Sequence, residues 1–485
     1  MWYKGVTLII NQIGDYREIL SNNIVYELED EEYKGHSKRG PKGVFSRDRK
    51  LTFKNLIVII IIFKSSIQRE LDRFYKVVKS GDLNIREVTK GALSQARAKL
   101  DPWAFKRLNE VACNTFYELA PYYTWYDFRV LAVDGSRLVL PNHPSVIAEF
   151  GQHSFGPKAD SPRSLALASM LYDILNQMTI DAEIAPYSGN ERDLLIKHID
   201  KTKAGDILLL DRRYPCIWLL FLLKARGVEF CVRMKDDWWL SVKGFSESSD
   251  MERIVTYTLP KKDRKKLTDY PQMVDQTITC RLIKIKLENG ENEILCTSLT
   301  DMGKYEYLEF DSLYHYRWNE EEAYKLLKSR IELENFSGKT AIAVQQDFFA
   351  KILLMTLCAA YAHPIEERVT NEYKADKERA HDQKINRTNA LSMTQDILIK
   401  QHLKIKSFWG TSENAVRIQI FCAISAYCLV AIIGHDLRID RTTYEILQVL
   451  GISLLDKTPI KELFTNIEYK DIKELDCNPL EISFI

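Results

Sequence analysis

The sequence predicts an α/β protein with a mixed central sheet, a helical domain before it in the chain and a helical region after it. Two short apolar runs end in aspartate, one at Asp134 and one at Asp211. Near-continuous Val/Ile/Leu runs of this kind are typical of buried central strands. A third segment, from Leu313 to Lys339, is rich in Leu, Glu, Lys, Arg and Ala and lacks Pro, which predicts one long helix ended by Ser337-Gly338.

The N-terminal part begins with residues 1 to about 36, which carry no clear pattern. The stretch from His36 to Lys54 is basic and contains Gly and Pro. It is either an arm that follows a phosphate backbone or a solvated linker. The apolar stretch from Leu51 to Lys79 predicts a long helix.

Short helices follow. We expect two of them between Ile85 and Leu100, separated by a turn at Lys90-Gly91. Asp101-Pro102 then begins another helix, with Asp as N-cap and Pro at the first position, that runs to about Leu119. This pattern, with an outward Arg97 and Lys99, fits a helix-turn-helix DNA reader, and a plain helical packing domain is the alternative.

The central strands have an informative order. After the Asp134 strand we expect strands at 165–172 and 178–184, a hairpin at Asn176, a helix from about 191 to 203, and the strand that ends at Asp211. An RNase H-like fold begins with this order of elements: three strands, a helix and a fourth strand. In that fold the first and fourth strands are neighbours, so Asp134 and Asp211 should lie close together at strand ends, where open α/β sheets place their chemistry.

The helix from Leu313 carries one narrow polar stripe. At about 100° per residue, Arg317, Glu321 and Lys328 fall within roughly 60° of Tyr314, whereas Glu320 and Glu322 point elsewhere. One carboxylate is thus framed by two cations and a phenol, as at a site that holds a metal and phosphates. A solvated face with ordinary ion pairs is the alternative.

We expect three carboxylates to form a metal site. Asp134, Asp211 and Glu321 together can hold two divalent ions, and a pair of ions about 3.5–4 Å apart can act on both the attacking and the leaving oxygen of a phosphodiester. Hard oxygen ligands favour Mg²⁺ or Mn²⁺ over zinc.

The spacing Tyr314-x2-Arg317-x3-Glu321-x6-Lys328 resembles the YREK signature of a large group of bacterial insertion-sequence transposases. These are DDE enzymes with an RNase H-like core. Asp134-Gly135-Ser136, the run from Asp211 to Pro215, and Arg317-Trp318 are also similar to that family, and the resemblance covers roughly residues 125 to 460. Two positions depart from the family: Arg213 stands where Gly is usual, and Glu320 stands where an apolar residue is common.

The resemblance implies a set of roles. Asp134, Asp211 and Glu321 would be the catalytic metal ligands, and Tyr314, Arg317 and Lys328 would contact DNA. An N-terminal region that includes Arg97 and Lys99 would bind the element's terminal inverted repeats. The family further implies a homodimer that pairs the DNA ends, strand transfer to target DNA, and a hairpin intermediate. Two alternatives remain: an RNase H-like nuclease without strand transfer, and an inactive or domesticated DNA-binding protein.

The sequence also predicts domain limits. We expect an N-terminal helical DNA-binding region at 1–120, core halves at 125–227 and 301–365, a β-rich insertion between them at 228–300, and a charged linker with a helical region at 366–485. Two features of the insertion are open to two interpretations. Lys261 to Lys266 is a basic tip on DNA or in solvent, and Trp238-Trp239 stacks on a base or belongs to the core.

The composition of the chain argues against several classes of protein. The chain has 485 residues and a net charge of +1, so overall charge does not indicate a nucleic-acid partner. Nine scattered cysteines without a Cys-x-x-Cys pair argue against a disulfide framework and a zinc ribbon and fit a reducing cytoplasm. We expect the apolar runs Leu56–Phe63 and Ile418–Ile433 to be buried helices rather than membrane spans, and a cytoplasmic, nucleoid-associated location.

Overall fold

A computed structural model describes residues 6–9, 16–40, 45, 50–63, 66–79, 87–154, 162–287, 290–373, 385–402, 432 and 435–436. The strands are β1 Val6–Ile9, β2 Tyr122–Trp125, β3 Arg129–Val139, β4 Leu165–Asp173, β5 Met178–Pro186, β6 Asp206–Leu210, β7 Glu229–Met234, β8 Glu252–Thr258, β9 Thr277–Lys286 and β10 Asn292–Thr297. The helices are α1 Tyr16–Glu29, α2 Glu31–His36, α3 Phe53–Ile62, α4 Ile67–Lys79, α5 Lys90–Arg97, α6 Trp103–Leu119, α7 Pro144–Phe150, α8 Glu191–Ile199, α9 Ile217–Ala225, α10 Leu240–Ser246, α11 Glu309–His315, α12 Trp318–Lys325, α13 Ala341–Tyr373 and α14 Arg387–His402.

Eight strands form one mixed sheet in the order β5-β4-β3-β6-β7-β10-β9-β8. The first three strands are antiparallel, and β6 and β7 then run parallel to β3. This is the strand order of an RNase H-like core, and it confirms the fold class predicted from the sequence. The hairpin between β4 and β5 turns at Asn176 and Gln177, as expected, and Gln177 has a left-handed φ of 58°.

Successive residues of β3 face opposite sides of the sheet. Val130 and Ala132 belong to one buried cluster, which also contains side chains from α1, α3, α6 and α13. Leu131 and Val133 belong to a second cluster, which also contains side chains from α9, α10 and the outer strands. Both faces of β3 are therefore covered, as the near-continuous apolar run requires.

The predicted β-rich insertion does not form a sheet of its own. β7 pairs in parallel with β6 and is the fifth strand of the core, although the sequence placed it in the insertion. The strands β10, β9 and β8 continue outward from β7 by antiparallel pairing. The insertion therefore extends the core sheet, because the free edge of β7 offers backbone groups for a further strand.

The N-terminal helices differ from the prediction in two places. The stretch predicted as one helix from Leu51 to Lys79 forms α3 and α4, because the chain turns to an extended conformation (ψ 131°) at Phe63. The expected turn at Lys90-Gly91 is instead the start of α5, because the Thr89 hydroxyl caps this end by accepting from the Ala92 amide at 3.2 Å. The helix expected before it, from Ile85, is not present in residues 87–89, which are not helical, and residues 80–86 lie outside the described residues.

Contacts divide the chain into one unit at Met1–Ile405 and a second at Lys406–Ile485. The predicted limits near 120, 228, 301 and 366 all fall within the first unit, and α13 continues past 366 to Tyr373. Most of the predicted C-terminal helical region, including Ile418–Ile433, lies outside the described residues.

One helix of the described part, Ala341–Glu366, is long and apolar enough to cross a membrane, but 89% of its apolar window is buried inside the protein. Such burial is expected of a core helix. The apolar helix α3 is also buried, as predicted for Leu56–Phe63.

Candidate active site

Two aspartates lie next to each other on neighbouring strands. The last paired residues of β3 and β6 are Val133 and Leu210, and Asp134 and Asp211 follow them directly. Neighbouring strands are about 4.8 Å apart, so the sheet brings these carboxylates together as the sequence predicts. The two positions differ, however. Asp211 follows the end of β6, whereas Asp134 lies inside β3, which continues to Val139, and not at its end as expected.

The segment predicted as one helix from Leu313 to Lys339 is broken. It consists of α11, α12 and a π-helical turn at Leu326–Arg330, and it begins four residues earlier than predicted, at Glu309. The break between α11 and α12 falls at Tyr316 and Arg317. The π turn ends with Glu332 in a left-handed conformation (φ 53°), and the Leu333 amide donates to the Leu327 carbonyl at 3.1 Å. The helix therefore stops before Ser337-Gly338.

Arg317 connects two of the three predicted metal ligands. One terminal nitrogen donates to Glu321 at 3.1 Å, and the other lies 3.9 Å from Oδ2 of Asp134. The side chain is only 8% exposed, and its guanidinium also lies over the ring of Tyr314 at 5.7 Å. The structure thus joins Asp134, Arg317 and Glu321 in one cluster next to Asp211.

The other two members of the stripe contact the core sheet. The Tyr314 hydroxyl donates to the carbonyl of Leu210 at 3.4 Å, and the residue is 4% exposed. The Tyr314 hydroxyl is thus bonded to the last residue of β6, and its predicted contact with DNA stays a prediction. Lys328 donates to the carbonyl of Arg137 at 2.6 Å, and burial lowers the pKa of its ammonium.

Arg97 and Lys99, the N-terminal residues predicted to bind DNA, differ in how far they are exposed. Arg97 is 4% exposed, forms an ion pair with Asp347 at 2.7 Å, and also donates to Gln346, Ser337 and the carbonyl of Ala343. The prediction that Arg97 points outward is therefore corrected, because its donors hold α5 against the start of α13, and its contact with DNA stays a prediction. Lys99 is exposed, so its side chain can reach a partner.

Sequence reasoning missed Glu320. The helical wheel turned this residue away from the stripe, yet its side chain is completely buried and Oε1 accepts from the Asp134 amide at 2.8 Å. Burial raises the pKa of Glu320 well above its ordinary value, and the charge of Asp134 raises it further. The one signal in the sequence was the departure from an apolar residue at this position.

Glu191, the first residue of α8, was also missed. Its carboxylate approaches Gly135 so closely that a Cβ there would lie 3.1 Å from Oε1, and it pairs with Arg213 at 3.3 Å. α8 is held at its other end by His198, which hydrogen-bonds to Asp181 at 2.8 Å and to Ser169 at 3.0 Å. These bonds join α8 to β4 and β5 and so place Glu191 beside the aspartates.

The two tryptophans of the insertion differ in how far they are exposed. Trp239 is partly buried and packs its ring against Tyr257 at 4.9 Å. Trp238 is 40% exposed, and Arg192 and Lys235 lie over its ring at 5.7 and 5.2 Å. Arg192 also donates to the carbonyl of Arg213, two residues after Asp211, which connects this exposed ring to the site.

The site holds more negative than positive charge. Burial raises the pKa of Asp134 to about 6, its hydrogen bond from the Gly135 amide and the charge of Arg317 lower it, and the charges of Asp211 and Glu191 raise it. The pKa of Arg317 is raised despite burial, because Tyr314, Asp134, Glu321 and Asp211 all favour its charged form. Crowded carboxylates of this kind disfavour full ionisation unless a cation neutralises them.

The donor atoms suit a hard divalent cation, since Asp134, Asp211 and Glu321 offer only carboxylate oxygens. In the described part of the chain, no three acidic, His or Cys side chains stand close enough to hold a metal ion between them. Arg317 provides the positive charge between Asp134 and Glu321 in this arrangement. The chemistry of the site therefore fits a divalent ion, while Asp134 and Glu321 as they stand are paired with the guanidinium of Arg317.

Comparisons with known proteins agree with this interpretation. Residues 125–357 match the family model described as "Transposase DDE domain". The chain is 22% identical over 279 residues to the transposase InsG of insertion sequence IS4 from Escherichia coli, which covers 56% of this chain and 60% of that protein. A 50-residue stretch is 52% identical to the putative transposase y4zB of Sinorhizobium fredii, over 10% of this chain and 13% of that one.

A solved structure of piggyBac transposase, in a synaptic complex with hairpin DNA, matches 86% of each chain with a TM-score of 0.41 and 11% identity. The assignment of an RNase H-like fold follows from the order of the strands in the sheet. The family match covers the segment that carries Asp134, Asp211, Arg317 and Glu321, and residues 125–357 of this chain are a transposase DDE domain.

Proposed function

We propose that this chain is the transposase of a bacterial insertion sequence, which cuts DNA at the ends of its element and joins the freed 3′-hydroxyls to a target. One observation carries the proposal: Arg317 joins Asp134 to Glu321 beside Asp211, within the segment that matches transposase DDE domains. The whole reaction is a proposal because the curated relative aligns over only 60% of its own length.

Each residue of the cluster receives a role. Asp134, Asp211 and Glu321 would hold two Mg²⁺ or Mn²⁺ ions, which would lower the pKa of the attacking water or hydroxyl and stabilise the leaving oxygen. Arg317 would then release its carboxylates to the ions and bind a phosphate of the DNA, since a guanidinium matches phosphate oxygens in pairs. The ring of Tyr314 would hold the Arg317 guanidinium in place by a cation–π contact, and its hydroxyl would hold the end of β6 by a hydrogen bond to Leu210. Lys328 would hold a second phosphate from the edge of the site.

The partners follow from this activity. The chain would bind the terminal inverted repeats, with Lys99 among its contacts, and two copies would pair the two ends. We infer excision by cut-and-paste through a DNA hairpin, which the YREK pattern implies. Its work would take place in the bacterial cytoplasm, on the nucleoid.

A cleavage assay tests the proposal. Linear DNA that carries the element's own ends is incubated with the protein and Mg²⁺, with Mn²⁺, or with chelator, for wild type and for Glu321→Gln. Cuts at the element boundary that need a metal and disappear in the variant would support the transposase. The exposed Glu322→Gln is the matched control, because Glu322 pairs with Lys325 and does not contact the cluster.

The products separate the remaining possibilities. Strand transfer to a target plasmid distinguishes a transposase from a nuclease, which would cut without joining. Protection of the repeat ends without any cuts would contradict the enzyme and indicate a DNA-binding protein.

A further inference from the structure

Helix α12 holds the main chain of Asp134 with a buried carboxyl group. Glu320 has no exposed surface, and its Oε1 accepts a hydrogen bond from the Asp134 amide at 2.8 Å. This bond crosses 186 residues of sequence and joins the helix that carries Glu321 to the strand that carries Asp134.

Tyr324 holds the same residue from one helical turn further on. Its hydroxyl donates to the Asp134 carbonyl at 2.9 Å and lies 3.4 Å from the carbonyl of Ala168 on β4. Residues four apart lie on one face of a helix. Glu320 and Tyr324 therefore take both main-chain polar groups of Asp134 from a single face of α12.

A buried carboxyl group at position 320 lowers the stability of the protein. The second oxygen of Glu320 is buried and, among the described residues, has no hydrogen-bond partner, and the same is true of the Tyr214 hydroxyl. A buried polar atom without a partner costs stability. An apolar side chain would avoid that cost but could not accept the Asp134 amide, so the bond to Asp134 is the gain that this residue provides.

We propose that Glu320 and Tyr324 are positioning residues that set the distance between the Asp134 and Glu321 carboxylates. Glu321 is adjacent to Glu320 in the chain, so fixing Glu320 on the Asp134 peptide fixes the helix backbone from which Glu321 projects. Supporting groups of this kind tune metal ligands without touching the metal. The functional meaning of this clamp rests on the proposed transposase activity, but the clamp itself can be measured without it.

Three variants test the clamp. Glu320→Met keeps the size of the side chain and removes the acceptor, Glu320→Gln keeps an acceptor oxygen at the same reach, and Tyr324→Phe removes only the hydroxyl. The control is Glu322→Met, an exposed residue on the same helix. Thermal melting first identifies the variants that fold.

The first readout is amide hydrogen exchange at Asp134 in the protein without DNA. We expect exchange about 10-fold faster in Glu320→Met and close to wild type in Glu320→Gln and in the control. The second readout is the rise in melting temperature on adding Mn²⁺, which we expect to shrink in Glu320→Met and in Tyr324→Phe and to be kept in Glu320→Gln. The third is end cleavage, which we expect to slow roughly 10- to 100-fold in Glu320→Met and to recover in Glu320→Gln.

Two results would overturn the inference. Unchanged exchange at Asp134 in Glu320→Met would show that the bond does not exist in solution. Faster exchange with unchanged Mn²⁺ response and cleavage would show a bond with no effect on the ligands. If wild type itself fails to cut the DNA ends, the proposed function fails, and the exchange and Mn²⁺ measurements still decide whether the clamp exists.

Discussion

Arg317 donates a hydrogen bond to Glu321 at 3.1 Å, from a side chain that is only 8% exposed. The same guanidinium reaches Asp134 with its other terminal nitrogen, at 3.9 Å. A single planar cation with several donors therefore organises two carboxylates that come from distant parts of the chain.

This geometry predicts a strict need for arginine. We expect Arg317→Lys to fold and to cut DNA ends at least about 10-fold more slowly, because one ammonium cannot serve both carboxylates and a phosphate in the same way. Single-turnover cleavage rates check this. Arg330→Lys, the same change at an exposed residue of the following turn, should leave the rate unchanged. Equal rates for Arg317→Lys and wild type would contradict the role of the guanidinium.

Lys328 should act through charge alone. It donates to the Arg137 carbonyl at the edge of the site, so its ammonium can also meet a phosphate. For Lys328→Met we expect binding of end DNA whose dependence on salt is weaker by about one unit in the log–log slope. Binding titrations at several salt concentrations measure the slope. Lys201→Met, whose lysine pairs with Glu110, is the control and should keep the wild-type slope.

Arg97 and Lys99 make a matched pair with opposite expectations. Arg97→Met should lower the free energy of unfolding by roughly 3–5 kcal/mol, because it leaves Asp347 as a buried charge without its partner. Lys99→Met should leave stability unchanged and weaken binding to end DNA. Chemical denaturation and binding titrations on both variants test this division. A stable Arg97→Met protein that loses DNA binding would restore the original sequence-based expectation.

His363 should make stability depend on pH. Burial lowers its pKa from 6.5 to about 4, the carbonyl of Pro121 opposes this shift, and Arg387 adds to it. A histidine with a depressed pKa is neutral in the folded protein, so the unfolded chain binds more protons below pH 6.5. The stability it contributes is therefore present above that pH and is lost as pH falls toward 4, by about 3 kcal/mol in total.

Denaturation of wild type and His363→Phe between pH 7 and pH 4 measures this term. The ring packs edge-on against Phe116 at 5.2 Å, so phenylalanine suits the environment. The difference in stability between the two proteins should move in favour of the variant as pH falls. His315→Gln, at an exposed position, serves as the control and should follow wild type throughout.

The core strands were predictable because their signal is local. The apolar runs that became β3, β4, β5 and β6 are bounded by polar residues, and burial on both faces leaves few other structures for such runs. The pairing of Asp134 with Asp211 followed from strand order. The position of Asp134 inside β3 did not, because nothing in Gly135-Ser136 shows whether a strand continues.

The surroundings of the carboxylates were not predictable for a different reason. A helical wheel fixes angles within one helix, but it does not say which face meets the sheet, so the burial of Glu320 was invisible. The breaks at Arg317 and at Leu326–Arg330 carry no Gly or Pro to mark them. Arg97 was predicted as exposed because an arginine on a short helix usually is, and its partners near Asp347 lie 250 residues away.

The continuous sheet has a consequence for any shortened form of this protein. β7 is bordered by β6 on one side and by β10 on the other, and residues of the insertion fill the same apolar cluster as β7 and α9. Removing residues 240–297 would uncover a long row of unpaired backbone groups next to exposed leucine, valine and phenylalanine side chains. Such an edge recruits other chains, so a protein trimmed to the minimal core should aggregate rather than work as a smaller enzyme.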